Sequence, residues 1–302
     1  MRRKLRIALV GAGKLATALS LALRKAGHEV QIVPGRSGGR VKMKPDQLVR
    51  EPALATSAAL TTLAPQVVWL CVPDSAISDV AKRISRELDW KGRAAFHSSG
   101  ALAGDELNSL RRRGAAVASV HPLMTFVPGS RPPLAGVPFA IEGDAAAVRA
   151  ARQIVGDLGG GAFPIRRKDK AAYHAWATLL SPLFTSLLAT SERVAALAGV
   201  RRSSVRTRAV PILLQTLANY AAFGPAQGFS GPIVRGDADT IERHVGVLRK
   251  IPAARNVYRS LAAAALAYLP ARNKARIAKA LRSSKSQKNQ RSGRNRKAIA
   301  VH

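Results

Sequence analysis

The chain has 302 residues, 47% of them hydrophobic, enough for a large buried core and, by length, for about two domains. A single cysteine, Cys71, excludes an intrachain disulfide framework, and no apolar run approaches the roughly 18 residues of a membrane span, so a soluble cytoplasmic protein is expected. With 49 Lys+Arg against 17 Asp+Glu the net charge is +32, which favours acidic partners over basic ones.

The first predicted element is a strand over Leu5–Val10. Its apolar run ends in Gly11-Ala12-Gly13, too short for a signal-peptide core and without a cleavage site, so the basic start is not read as a leader. A helix follows over Lys14–Ala26 and a second strand over Val30–Val33. Between Pro34 and Pro65, "GRSGGRVKMKP" reads as a loop and places no element firmly. Further strands are expected at Val67–Val72, Ala94–His97, Ala116–Val120 and Phe139–Glu142. Helices over Ser75–Glu87, Gly104–Arg113 and Ala145–Leu158 alternate with most of them. This alternation predicts an α/β, Rossmann-type domain over residues 1–165, with a parallel sheet covered on both faces.

After "GGGAFPIRRKDK" the texture becomes Ala/Leu-rich. Helical spacing over Lys170–Leu197, Ser203–Phe223, Asp237–Lys250 and Pro252–Tyr268 predicts an all-helical domain over residues 166–282. Glu242 is the last acidic residue, and residues 283–302 lack apolar periodicity. They are expected to be a disordered basic tail, either solubilising or able to touch RNA and acidic partners nonspecifically.

The first strand, glycine turn and helix form a GxGxxA dinucleotide fingerprint. Gly11 permits the turn, Gly13 lets a pyrophosphate approach the backbone, Lys14 and Leu15 open the helix, and Ala16 allows it to pack on the strand. The end of the second strand reads "VPGRSGGR", with Arg36, Ser37 and Arg40 and no carboxylate after Glu29. That pattern favours the 2′-phosphate of NADP over the bare ribose of NAD. In "CVPDSAI", Asp74 or Ser75 is expected to cap the next helix.

"FHSSGAL" sets His97, Ser98, Ser99 and Gly100 past a strand's carboxyl end, either as a substrate-carboxylate site or as a serine-capped turn. "SVHPLMTF" puts His121 either beside the same cleft or in a hydrogen-bonded turn. Six histidines and one cysteine show no metal spacing, so no metal is expected, and Ser98 and Ser99 lack a nucleophile-elbow frame. In "KDKAAYHAWA", Lys170 and His174 stand four apart and share a helix face, as a reactive pair or as two exposed polar residues. Late in the chain, Asp237 reads as a cap with Thr240 in its first turn. Arg235 and His244 lie nearby, either closing over a ligand or serving the loop.

From about Leu5 to about Leu269 the chain resembles proteins with a Rossmann-like domain followed by a DUF2520 domain. These in turn are similar to pyrroline-5-carboxylate reductases, F420-dependent NADP reductases and β-hydroxyacid dehydrogenases. The resemblance rests on "VGAGKLA", "CVPDSAI", "FHSSGAL", "SVHPLMTF", "PFAIEGD", "KAAYHAWA" and "GPIVRGDADTIERH". It implies an NADP-type oxidoreductase fold, a homodimer formed through the helical domain, and Val72 and Pro73 against the cofactor. It also implies that Lys170 matches the lysine of a Lys-xxx-Asn pair that acts on the substrate hydroxyl or carbonyl; here His174 replaces the asparagine. The resulting expectation is an NADPH-linked oxidoreductase acting on a small carbonyl, imine or hydroxyacid-like substrate. Lys170 carries the chemistry, His174 holds it, and Ser99 and His121 stand nearby. The alternatives are an NADP-binding sensor without turnover and a nucleic-acid-associated protein acting through its tail.

Overall fold

The computed structural model describes residues 4–33 and 55–283, with side chains described from residue 59 in the second stretch. Two compact units divide the chain, Met1–Ser181 and Pro182–His302. The change of texture in the sequence places the domain boundary at residue 165. The unit boundary falls later because the helix after the sheet buries Lys170 and Tyr173 on the first unit.

The first unit is built on seven strands: β1 (Arg6–Val10), β2 (Glu29–Val33), β3 (Val67–Leu70), β4 (Ala94–His97), β5 (Ala116–Pro122), β6 (Pro138–Gly143) and β7 (Gly161–Pro164). Their spatial order is β2-β1-β3-β4-β5-β6-β7. Alternate side chains of β1 feed two different cores: Ile7 and Leu9 join one with Leu19, Trp69, Phe96 and Phe139, while Ala8 and Val10 join the other with Leu70, Ile77 and Trp90. Both faces are thus apolar, as a helix-covered parallel sheet requires. The sheet departs from the expected pattern in two places. β6 runs antiparallel to β5, and β7 is an additional strand parallel to β6. No helix occupies the connection from 123 to 137, so the chain lacks the crossover a parallel return needs.

Helices α1 (Lys14–Lys25), α2 (Ala55–Leu63), α3 (Ile77–Ile84), α4 (Asn108–Arg111), α5 (Ala145–Asp157) and α6 (Lys170–Leu180) complete this unit. Two expected helices are shorter than predicted, since Asp74–Ala76 and Gly104–Leu107 are 3-10 turns. The helix expected over Lys170–Leu197 is broken at Ser181 (φ −123°, ψ −76°), because Pro182 brings no N–H and disfavours helical backbone before it.

The second unit contains α7 (Pro182–Leu197), α8 (Val205–Gln227), α9 (Pro232–Arg235), α10 (Ala238–Val247), α11 (Pro252–Tyr268) and α12 (Lys274–Arg282). Ile241, Val245, Ala262, Ile277 and Leu281 form its core. The α8 backbone kinks at Gly224 (φ 72°, ψ 178°), just after the predicted end of that helix. Asp237 caps α10 as expected, accepting from the Thr240 N–H at 3.1 Å. Within this unit α7 buries none of its residues and α8 only Val205, while Ile212, Leu214, Leu217, Tyr220 and Phe223 are exposed. Among the described residues, no helix is long and apolar enough to cross a membrane.

Candidate functional site

Gly11 lies where the strand order reverses, with β2 on one side of β1 and β3 on the other. In open α/β sheets ligands gather outside the carboxyl ends at this point. Gly11 has φ +115°, and a Cβ there would lie 2.5 Å from the Cys71 carbonyl oxygen. Its N–H donates to the Val33 carbonyl at 2.7 Å, so one glycine ties the ends of β1, β2 and β3 together. Gly13 starts α1 with its Cα side open, the nearest atom to an added Cβ being Cys71 O at 4.0 Å. Lys14 is exposed, Leu15 half-buried and Ala16 fully buried against the sheet. The first turn of α1 holds no acidic residue to oppose an anion. A bare backbone, an open helix start and a basic first residue fit the phosphates of a dinucleotide. Val72 is half-buried and Pro73 exposed just beyond β3. Arg36 and Ser37 lie outside the described residues.

A polar network begins beside that turn. Asp74 does not cap a helix through its side chain; it accepts from Ser99 Oγ at 2.7 Å, and Ser75 makes no cap bond either. Ser99 Oγ in turn accepts from the N–H groups of Ala101 and Leu102 at 3.2 and 2.9 Å. The neighbouring Ser98 Oγ accepts from Trp69 Nε1 at 2.8 Å. The Ser99 carbonyl takes two bonds, from Ser119 Oγ at 2.9 Å and from Lys170 Nζ at 3.2 Å. Lys170 Nζ also donates to Ser119 Oγ at 2.6 Å. Its residue is only 1% exposed, and the third proton has no partner among the described residues. Burial pushes the Lys170 ammonium down to about 8, with Glu142 and Asp74 partly opposing the fall.

Three imidazoles line the same region. Burial lowers His97 to about 4, against the raising effect of its bond to the Ala103 carbonyl. Neutral His97 donates from Nε2 to that carbonyl at 2.8 Å and accepts the Ser99 N–H at Nδ1, 3.1 Å away. His121 is also lowered to about 4, by burial and then by the Lys170 charge and His174. Its Nδ1 is 2.7 Å from the Tyr173 hydroxyl, which burial raises to about 12. The His174 ring stands edge-on to His121, with centroids 6.1 Å apart. Gly100 makes room for both, since a Cβ there would meet His174 Cδ2 at 2.7 Å and His121 Nε2 at 3.0 Å.

The structure therefore gathers Lys170, His174, Ser99 and His121 in the first unit. No hydrogen bond joins His174 to Lys170 among the described residues; Ser119 and the Ser99 carbonyl hold the ammonium. Ser119 and Tyr173 join the site without having stood out in the sequence. A hydroxyl inside the apolar run "AVASV", and a tyrosine three positions after Lys170, were the available signals. In the second unit His244 Nδ1 pairs with the Tyr258 hydroxyl at 3.0 Å, and Arg235 is exposed.

Residues 1–122 match the Rossmann-like domain, and residues 137–265 match the domain of unknown function DUF2520. The chain carries a Rossmann-like domain followed by a DUF2520 domain. The DUF2520 segment begins at β6 and takes in the Lys170 helix. Among solved structures, the chain is similar to a provisionally assigned NADP oxidoreductase from Bacteroides fragilis. That match has a TM-score of 0.66 and 17% identity, over 86% of this chain and 97% of the other. Protein TM1727 from Thermotoga maritima matches with TM-score 0.62 and 20% identity, over 92% and 100% of the two chains. A reductive aminase from Aspergillus terreus, in complex with NADPH and ethyl-5-oxohexanoate, matches with TM-score 0.58 and 17% identity, over 86% and 94%. At these identities the likeness is one of fold. No curated protein matches the sequence.

Proposed function

We propose that the protein is an NAD(P)-dependent oxidoreductase, NADPH-linked, acting on a small carbonyl, imine or hydroxyacid-like substrate. The observation that carries this reading is Lys170: a buried ammonium with one uncommitted proton, networked through Ser99 and Asp74 to the turn that packs on the dinucleotide fingerprint. The NADPH bound to a reductive aminase of the same fold supports the cofactor, as does "GRSGGR" after the second strand.

Gly11, Gly13 and Lys14 would hold a nicotinamide dinucleotide, whose chemistry when bound would be hydride donation. Lys170 supplies the matching proton or hydrogen bond at the substrate oxygen or nitrogen, where charge develops only as hydride arrives. Ser119 Oγ and the Ser99 carbonyl fix the direction of Nζ, which keeps its third proton aimed without rotamer cost at the moment of transfer. With a pKa of about 8 the lysine is mostly protonated at pH 7, so reduction slows as pH rises through that value. His97 and His121 stay neutral at that pH and add no competing cation.

The exposed apolar row of α8 supports a homodimer formed through the helical unit. The test of the chemistry is Lys170→Met, assayed with NADPH against a panel of carbonyls and imines. NADPH affinity should persist while turnover falls by roughly 100- to 10,000-fold. Wild-type turnover in the variant would exclude the lysine; tight NADPH binding with no turnover of any panel member by the wild type would favour a sensor.

A further inference from the structure

The first unit carries a concave basic surface that the cofactor reading leaves unused. Helices α3 and α4 end at Ile84 and Arg111, and the chain beyond each runs on into β4 and β5. Residues 82–87 and 109–113 therefore lie at the amino edge of the parallel strands. Gly11, Asp74 and Ser99 follow their strands and lie at the opposite edge.

Between the two helix ends opens a groove of about 600 Å³ lined by Lys82, Arg83, Arg86, Arg112 and Arg113, all exposed. Glu87 is the one carboxylate in the lining, which leaves a surplus of four positive charges. Basic residues at helix ends have an ordinary explanation, since each carbonyl terminus carries about half a negative charge. Two ends account for about one charge of the four, and Asp79, 3.6 Å from Lys82, answers one more. Roughly two uncompensated cations remain, held around a recess rather than spread over a convex face. The wall also contains Ser109, whose hydroxyl is buried with no hydrogen-bond partner among the described residues. No aromatic ring lines the groove, and Trp90 nearby is fully buried, so there is no platform on which a base could stack.

We propose that this groove binds the phosphodiester backbone of single-stranded nucleic acid without reading its bases. The fork geometry of several arginines around the recess matches phosphate oxygens, and without a stacking ring in the lining it is the backbone, not the bases, that they would hold. The site is independent of the dinucleotide loop and adds a fixed anchor to the nonspecific attraction of a +32 chain.

The test uses the full chain and a fluorescent 20-nucleotide oligo(U), followed by anisotropy from about 50 to 200 mM salt. R86E/R112E/R113E should lose at least about tenfold in affinity at the lowest salt. Its log–log salt slope should shrink by about 2, the value for three lost single-strand phosphate contacts. A charge-matched control on other exposed arginines, R131E/R149E/R152E, should lose less than about threefold, and oligo(dT) should bind the wild type within about threefold of oligo(U). Should the reversal fail to fold, R86Q/R112Q/R113Q is read instead, with an expected loss of at least about fivefold. Equal losses in groove and control variants would overturn the proposal, as would no oligo(U) binding by the wild type at the lowest salt. Tripolyphosphate that displaces the oligonucleotide at equal affinity would also overturn it, in favour of a small phosphate ligand. Tighter binding to vesicles containing phosphatidylserine than to oligo(U) would do so in favour of a membrane surface.

Discussion

Replacing Lys170 with methionine isolates the electrostatic state of the buried ammonium from its chemistry. Methionine nearly preserves the side-chain volume, so packing against Ser119 changes little. A lysine ionises near 10.5 in the unfolded chain and near 8 in the folded one, so charge on the folded form is penalised by on the order of 3 kcal/mol. The variant escapes that penalty but strips Ser119 Oγ and the Ser99 carbonyl of a charged donor, a loss of roughly 1.5 to 3 kcal/mol for each bond. At pH 7 these effects oppose one another, and wild type and variant should differ by no more than about 2 to 3 kcal/mol. Raising the pH changes the balance. Between the two ionisation values the unfolded chain binds the proton more tightly than the folded chain, so wild-type stability rises with pH. Integrated to pH 10, the wild type gains about 2.5 kcal/mol that the variant cannot. Urea unfolding followed by tryptophan fluorescence reads this directly, because Trp69, Trp90 and Trp176 all belong to the first unit. A wild-type-minus-variant difference that stays constant from pH 7 to pH 10 would refute the buried, depressed ammonium.

Gly11→Ala should destabilise the first unit by more than about 3 kcal/mol in the same assay, since its Cβ collides with a backbone carbonyl at positive φ. Gly13→Ala, at φ −78° and in open space, should cost less than about 1 kcal/mol yet weaken NADPH binding at least tenfold by calorimetry. Arg36→Ala should bring NADPH affinity down toward that for NADH, a loss of about tenfold for one charge-assisted contact. The wild type should sediment as a dimer and Ile212→Glu with Leu217→Glu as a monomer, with helical circular dichroism unchanged; equal sedimentation of the two would refute dimerisation through α8. Hydrogen bonding from the Thr240 side chain, and then from its N–H, holds the Asp237 carboxyl below its usual range. Amide protection of Thr240 should therefore persist above the normal carboxylate pKa and fail as pH drops through the lowered one, and Asp237→Ala should abolish it.

What could be read from the sequence follows the range of the interactions involved. β1, the glycine turn and α1 are legible because an apolar run, two glycines and a helical period specify them within about twenty residues. The direction of β6 is not local: it depends on a helix missing from residues 123–137, and an apolar strand reads the same either way. β7 escapes because "GAFP" offers a single aromatic and no β-branched residue, and only its pairing with β6 makes it a strand. α12 is hidden by its charge, although Ile277, Ala280 and Leu281 are spaced for one buried face. The site divides in the same way. Lys170 and His174 are visible as an i, i+4 pair, and their shared helix face, with the resemblance to a Lys-xxx-Asn pair, points to the histidine as the lysine's holder. Ser119, 51 residues earlier in the chain, takes that position because β5 carries its hydroxyl to the place where α6 delivers the ammonium. Asp74 shows the same competition. A carboxylate after Pro73 looks like a helix cap, yet Ser99, 25 residues away, claims it, since β3 and β4 are neighbours and their carboxyl ends meet. Short-range patterns nominated residues that could act; the sheet order decided which of them touch.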